Sequence, residues 1–208
     1  MLILFDLDGT LIESKESIIN STIITLMKYS KELPSKEQIE KTVGIPIINL
    51  FKKYLNYSIL DQAVTEFREH LIIETPKTTK LYPDTLIVLN ELTRDNHKLK
   101  VVTNKKTLLA KKILNIMEID HYFDEVIGID LGDPKPSPNM LLLAAKDYVK
   151  DEVIMVGDRP EDVVAAKEGG FKSVFVDHGT VTRADVEHLN PDFYAKELRG
   201  LLNLELMK

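Results

Sequence analysis

Cysteine is absent from all 208 residues. Disulfides, thiolate nucleophiles and Cys-ligated zinc are therefore excluded. Tryptophan is absent too, and aromatic residues make up only 7% of the chain. No apolar run approaches the roughly 20 residues that span a bilayer. The apolar start, Met1-Leu2-Ile3-Leu4-Phe5, is cut short by Asp6 and Asp8 and carries neither a basic leader nor a cleavage site. No signal peptide and no membrane partner are expected, and a cytoplasmic location is. Basic excess is lacking as well: the formal net charge is -6, and nothing advertises a nucleic-acid patch. The five histidines, His70, His97, His121, His178 and His188, are scattered without metal-ligand spacing. An acidic chain that handles an anionic substrate needs a metal or a few placed cations.

What is present suits a globular protein. The composition is 44% hydrophobic and 29% charged, and the length allows one core with a smaller insert. A continuous apolar run at 2–5 and similar, largely apolar runs at 99–102, 126–129, 153–156 and 174–176 suit strands buried on both faces. Helical patterns lie between them. Leu109, Ile113 and Ile116 recur at helical spacing. Ser137-Pro138 reads as a helix start, with Leu142, Ala145 and Val149 on its buried face. Pro160 opens a further helix that Gly169-Gly170 ends. Strand-helix alternation predicts an α/β fold with a doubly wound parallel sheet. Pro191 to Phe193 suggests an edge strand, and Leu198, Leu201 and Leu202 a closing helix.

Residues 14–80 break this rhythm, with no convincing strand and too much length for a loop. Ser14 can cap a helix bearing Ile19, Ile23 and Leu26, and Ser58 one bearing Leu60, Val64, Phe67 and Leu71. Gly44-Ile45-Pro46 breaks the chain between them. The expected organisation is a core of 1–13 plus 81–208, with a small all-helical domain, 14–80, inserted after the first strand. The sheet resumes at Tyr82-Pro83-Asp84, where Asp84 can cap the next helix.

In open α/β sheets the active crevice lies at the carboxyl ends of the strands. The polar residues there are Asp6 and Asp8, then Thr103 and Asn104, then Lys135, then Asp158 and Asp162. Carboxylates, a hydroxyl, an amide and one lysine are an inventory for holding Mg²⁺ and a phosphate together. Asp6 and Asp8, two apart, can face one side of the crevice. One can attack phosphorus while its neighbour moves a proton. With Asp158 they would repel each other, a conflict that a hard cation resolves. Each residue alone also has a bland reading. Thr103-Asn104 or Asp158 can be a helix cap, Lys135 a solvated loop lysine, and Asp162 a first-turn carboxylate favoured by the helix dipole. The weight lies in their order along successive strands.

Asp6-Leu7-Asp8-Gly9-Thr10-Leu11, Val101-Val102-Thr103-Asn104-Lys105, Lys135-Pro136-Ser137-Pro138, and Gly157-Asp158 with Asp162 and Gly169-Gly170 resemble, in order, the four motifs of the haloacid dehalogenase superfamily. Together with Gly44-Ile45-Pro46, Tyr82-Pro83-Asp84 and the helical insert, they resemble its phosphoglycolate phosphatase-like branch, whose helical cap closes over a Rossmann-like core. The resemblance implies a Mg²⁺-dependent phosphatase acting on a small phosphorylated metabolite. Asp6 would be the nucleophile that forms an aspartyl phosphate, and Asp8 the general acid and base. Thr103, the Asn104 backbone and Lys135 would bind phosphate, and Lys135 would also stabilise the transition state. Asp6, Asp158 and the Asp8 carbonyl would ligate Mg²⁺. Asp162 would sit at the edge of the metal shell and orient Lys135 or a bound water. Arg159 departs from the usual Ser or Thr. It either binds an anionic group or lies outside the pocket and pairs with Glu161.

Rival chemistries are separated by particular residues. A dehalogenase needs no acid at Asp8. A phosphonate-cleaving relative wants a cap lysine, for which Lys41 is the candidate beside its plain reading as a surface lysine. A sugar-phosphate mutase of the β-phosphoglucomutase kind usually shows a histidine early in the cap, and 11–30 hold none. A non-catalytic phosphometabolite-binding protein would be expected to lack Asp6 or Lys135. Phosphoglycolate is the first guess for substrate, and a monomer or homodimer is expected. The loop around Thr42 to Ile47 is expected to face the pocket, and His70 and Lys80 to lie near the crevice.

Overall fold

The computed structural model describes residues 1–178 and 181–204. Its strands are β1 (Leu2–Phe5), β2 (Ile12–Glu13), β3 (Lys80–Leu81), β4 (Lys98–Val102), β5 (Glu125–Ile127), β6 (Val153–Gly157), β7 (Lys172–Val176) and β8 (Phe193–Ala195). Its α-helices are α1 (Lys15–Tyr29), α2 (Lys36–Glu40), α3 (Ile48–Phe51), α4 (Leu60–Thr78), α5 (Thr85–Arg94), α6 (Thr107–Ile116), α7 (Asn139–Ala144), α8 (Pro160–Gly169) and α9 (Arg183–Val186). No described helix is long and apolar enough to cross a membrane.

Six strands form one parallel sheet in the order β5-β4-β1-β6-β7-β8. Strand side chains alternate between faces, so a strand apolar at every position must be covered twice. Ile3 and Phe5 of β1 join one core with α5 and α6 residues such as Leu89 and Ile113. Leu2 and Leu4 join the other with Met140, Leu141, Ala165 and Ala166 of α7 and α8. Each fully buried aliphatic or aromatic side chain contributes about 1.5–3 kcal/mol. Helices on both faces make the sheet doubly wound, as expected. The direction of winding reverses beside β1, and the site follows from that reversal.

Between β2 and β3 the described chain is helical. α1 packs along α4, with Leu26, Phe67 and Leu71 buried in a core continuous with the Ile3 side of the sheet. Gly44 turns the chain between α2 and α3 at φ +84, a backbone that favours glycine. Two-residue strands β2 and β3 pair antiparallel where this segment leaves and rejoins the sheet. They are too short for a sequence pattern to show.

Several expectations shift. α4 begins at Leu60, because Ser58 lies in a 3-10 turn spanning Tyr57–Ile59. Ser14 stands at the cap position of α1 but bonds no helix amide; its hydroxyl is used in the site. α7 turns inward Met140, Leu141, Ala144 and Ala145, whereas Leu142 is 39% exposed and Val149 66%. The helix is only one and a half turns long, so a face extrapolated to Val149 runs past its end. β5 ends at Ile127, after which Ile129 N donates to Lys105 O at 2.9 Å instead of continuing the ladder. The edge strand is Phe193–Ala195, and Leu198–Asn203 is a 3-10 helix.

Candidate active site

Sheet register brings the site together. Phe5 is level with Val101 on β4 and Val156 on β6. Asp6, Thr103 and Asp158 therefore leave the ends of three adjacent strands at nearly one height, at the point where the winding reverses. Beyond Asp6, Gly9 turns the chain at φ +85, and a Cβ there would lie 2.2 Å from Asp158 Oδ2. Only glycine lets the first loop come so close to the second.

Lys135 reaches into this convergence from the loop after β5. It is 4% exposed. Its Nζ donates to Asp6 Oδ1 at 2.7 Å, Asp162 Oδ1 at 2.5 Å and Val102 O at 2.9 Å. All three of its protons are thus committed. Burial alone would lower the Lys135 pKa, but Asp162 and Asp6 outweigh it and hold the pKa above its ordinary value. Burial pushes the Asp6 carboxyl up to about 7, with Lys135 opposing and Asp162 and Asp8 adding to the rise. Burial, then Asp6 and Asp162, raise Asp158 well above the usual range, against a hydrogen bond from Thr10 Oγ1 at 2.8 Å.

Asp6, Asp158 and Asp162 offer carboxylate oxygens all within 4.8 Å of one another. Three buried carboxylates with one buried lysine leave an excess of negative charge, which a divalent cation offsets. The donors are all oxygen, which fits a hard ion such as Mg²⁺. They are not equally available. Asp162 accepts from Lys135 on Oδ1 and from Arg159 N on Oδ2 at 3.1 Å. Among the described residues, no donor reaches Oδ2 of Asp6 or of Asp158.

Asp8 points elsewhere. It accepts from Ser14 Oγ at 2.5 Å and forms a short ion pair with Lys105. Asn104 ties two loops together. Its Oδ1 accepts from Lys135 N at 2.9 Å, and its Nδ2 donates to Gly44 O at 2.9 Å and to Lys135 O at 3.3 Å. Thr103 is 1% exposed, and its Oγ1 accepts from Lys105 N at 3.3 Å.

A cavity of about 390 Å³ lies between these strand ends and the helical segment. Asp8, Thr103, Asn104 and Lys105 line its floor side, and Thr42 through Ile48, with Val64 and Phe67, line the other. Asp6, Lys135, Asp158 and Asp162 are buried and do not line it.

All seven residues singled out from the sequence thus lie in one neighbourhood, and the Thr42 to Ile47 loop does face the pocket. His70 and Lys80 do not line it. Lys41 is exposed and pairs with Glu37. Arg159 sits outside the large cavity, 3.4 Å from Glu161 and packed under Gly44.

Some contributors escaped sequence reasoning. Lys105 adjoins Thr103-Asn104, and that adjacency was its signal. Ser14 was hidden by its reading as a cap. Arg68, which also lines the cavity, falls four residues after Val64 and three before Leu71, on the same helical face. His178 carries no signal in the sequence, yet its Nδ1 donates to Gly9 O at 2.7 Å. Its ring stacks on Tyr82 at 3.7 Å, and burial lowers its pKa, against the Gly9 bond.

Residues 3–176 match the sequence model of a family described as haloacid dehalogenase-like hydrolase. Over 205 residues the chain is 35% identical to a phosphoglycolate phosphatase of Aquifex aeolicus, covering 97% of this chain and 95% of that one. It is 30% identical to pyrophosphatase PpaX of Bacillus cereus, over 96% of this chain and 94% of the relative. In three dimensions it is similar to a haloacid dehalogenase-like hydrolase from Streptococcus pneumoniae. There the TM-score is 0.85 at 26% identity, with 97% and 96% of the two chains covered.

Proposed function

This chain belongs to the haloacid dehalogenase-like hydrolases, and from that membership we propose that it is a Mg²⁺-dependent phosphatase of small phosphorylated metabolites. The observation that carries the reading is the buried lysine-carboxylate cluster, with Asp8 two residues from Asp6 and facing the cavity. Asp6 and Asp158 would hold Mg²⁺ by their carboxylates, and Asp8 by its backbone carbonyl. The ion, when bound, would neutralise phosphate charge and lower the Asp6 pKa.

Asp6 attacks phosphorus, forming an O–P bond as the ester O–P bond breaks, and the departing alkoxide takes a proton from Asp8. Water then attacks the aspartyl phosphate, Asp8 takes its proton, and inorganic phosphate leaves with Asp6 restored. Lys135 stabilises the charge on the phosphoryl oxygens, and Thr103 and the Asn104 backbone bind them. Asp162 holds Lys135 in place. Residues 14–80 act as a cap domain over a core of 1–13 plus 81–208. Opening of the cap admits substrate to the buried cluster. Phosphoglycolate, named for the Aquifex relative, is the first substrate to try, and pyrophosphate, named for PpaX, the second.

The test is phosphate release with Mg²⁺ from phosphoglycolate, pyrophosphate and p-nitrophenyl phosphate, comparing the native chain with Asp6→Asn. Turnover that EDTA abolishes and Asp6→Asn removes is expected. Full activity in Asp6→Asn would overturn the nucleophile assignment, and indifference to EDTA the metal.

A further inference from the structure

The cavity is walled mainly by apolar side chains. Ile18, Val43, Ile45, Ile47, Phe67 and Leu109 are among them. Thr42, Asp61 and Thr65 are polar exceptions on the helical side, but the apolar walls offer no partners to sugar hydroxyls, which would leave water there without replacement hydrogen bonds. They leave charged groups on the substrate equally unsatisfied, except where a cation waits.

Two cations line the cavity with substantial burial, and they differ. Lys105 is committed to Asp8. Arg68, on α4, is half-buried and makes no hydrogen bond or salt bridge among the described residues. Asp61 and Asp130 act on it only from beyond ion-pair distance, and burial lowers its pKa against them. Lys106 also lines the cavity, but it is exposed. Even a half-buried guanidinium without a carboxylate carries a desolvation cost that an arriving anion offsets. Its planar fork suits a carboxylate or a phosphate equally well.

Resting on the phosphatase reading above, we infer that Arg68 receives a second anionic group of the substrate. The substrate class is then a small phosphomonoester, or diphosphate, that carries a second acidic group within reach of the same cavity. Thr103 and Asn104 hold one end of such a molecule at the floor of the cavity, and Arg68 holds the other.

Two measurements test this. The first is calorimetric binding of phosphoglycolate, pyrophosphate and ethyl phosphate to the Asp6→Asn protein, with and without Arg68→Ala or Arg68→Lys. The second is kcat/KM for the same substrates in chains that keep Asp6. A charge-assisted pair predicts that Arg68→Ala erases a preference of about 10- to 100-fold for the doubly anionic ligands over ethyl phosphate. The loss should fall mainly on KM, with Arg68→Lys restoring part of it. Phosphoglycolate against pyrophosphate tells a carboxylate from a phosphate at Arg68. Equal losses for all three ligands, or no preference before substitution, would overturn the inference. Preferential binding without any turnover would leave Arg68 in its role and remove the phosphatase reading alone.

Discussion

The floor and the roof of the cavity are built on opposite principles. At the floor the charges near the chemistry already have protein partners, Lys135 with Asp6 and Asp162, Lys105 with Asp8, and Asp158 with the Thr10 hydroxyl, and the negative excess left over is the share of a cation. At the roof the lining is largely isoleucine, valine and phenylalanine, with one half-buried arginine left unpaired. A site that must perform one reaction gains from preorganised charge, because nothing then reorganises as the transition state forms. A surface that must recognise one molecule gains from groups that are satisfied only when that molecule is present. Chemistry is thus assigned to the strand ends and selection to the helices.

The largest effect should come from breaking the floor. Lys135→Ala leaves Asp6, Asp158 and Asp162 buried together with no cation. Removing one partner of a buried ion pair typically costs about 3–5 kcal/mol, so urea unfolding in EDTA should show a loss of that order. Mg²⁺ should recover part of the stability, since it answers the same charge, while phosphate release stays lost. An unchanged midpoint would mean that the cluster is not held together as its distances imply.

A middling effect should come from a side chain that joins floor to roof. Asn104→Ala removes the bond to Gly44 O and leaves that carbonyl and Lys135 N unsatisfied, at a cost of about 1–3 kcal/mol. Amide hydrogen exchange across 43–48 should quicken about tenfold or more, and KM should rise. If exchange across the loop does not change, the roof is held by its apolar packing alone.

The same division explains what could be read from the sequence. The floor was legible because its residues follow strands, and strands announce themselves as apolar runs. Asp6, Asp8, Thr103, Asn104, Lys135, Asp158 and Asp162 fall in order along the sequence itself. The roof was legible only in outline. α1 and α4 showed their periodicity, yet Arg68 gave no sign beyond its place on the buried face of α4. Whether a cation on a helix is solvated or walled into a cavity depends on the opposing surface, here 35 and more residues away in sequence. Lys105 and Ser14 failed to register for a related reason. Each had a sufficient local account, as motif neighbour and as cap, and only packing showed that both touch Asp8.

The smallest effect should come from the outer side of the roof. Glu66 on α4 accepts from Lys28 Nζ at 2.7 Å and Tyr29 Oη at 2.6 Å, both on α1. The Lys28 and Tyr29 hydrogen bonds hold its carboxyl down at about 2, below its usual 4.5. A group with a depressed folded pKa stabilises the fold above its unfolded pKa, and that contribution fades as pH falls toward the folded one. Because these groups face solvent, the contribution is small. Glu66→Gln should therefore lower the urea midpoint slightly at neutral pH. The difference from the native chain should narrow as pH drops from about 4.5 toward 2, while kcat/KM at neutral pH stays unchanged. A gap that widened with acid would reverse the sign argued for Glu66. A loss of turnover would show that the two halves of the cavity are not independent, because a contact on the far side of α4 would then be felt by the reaction at the floor.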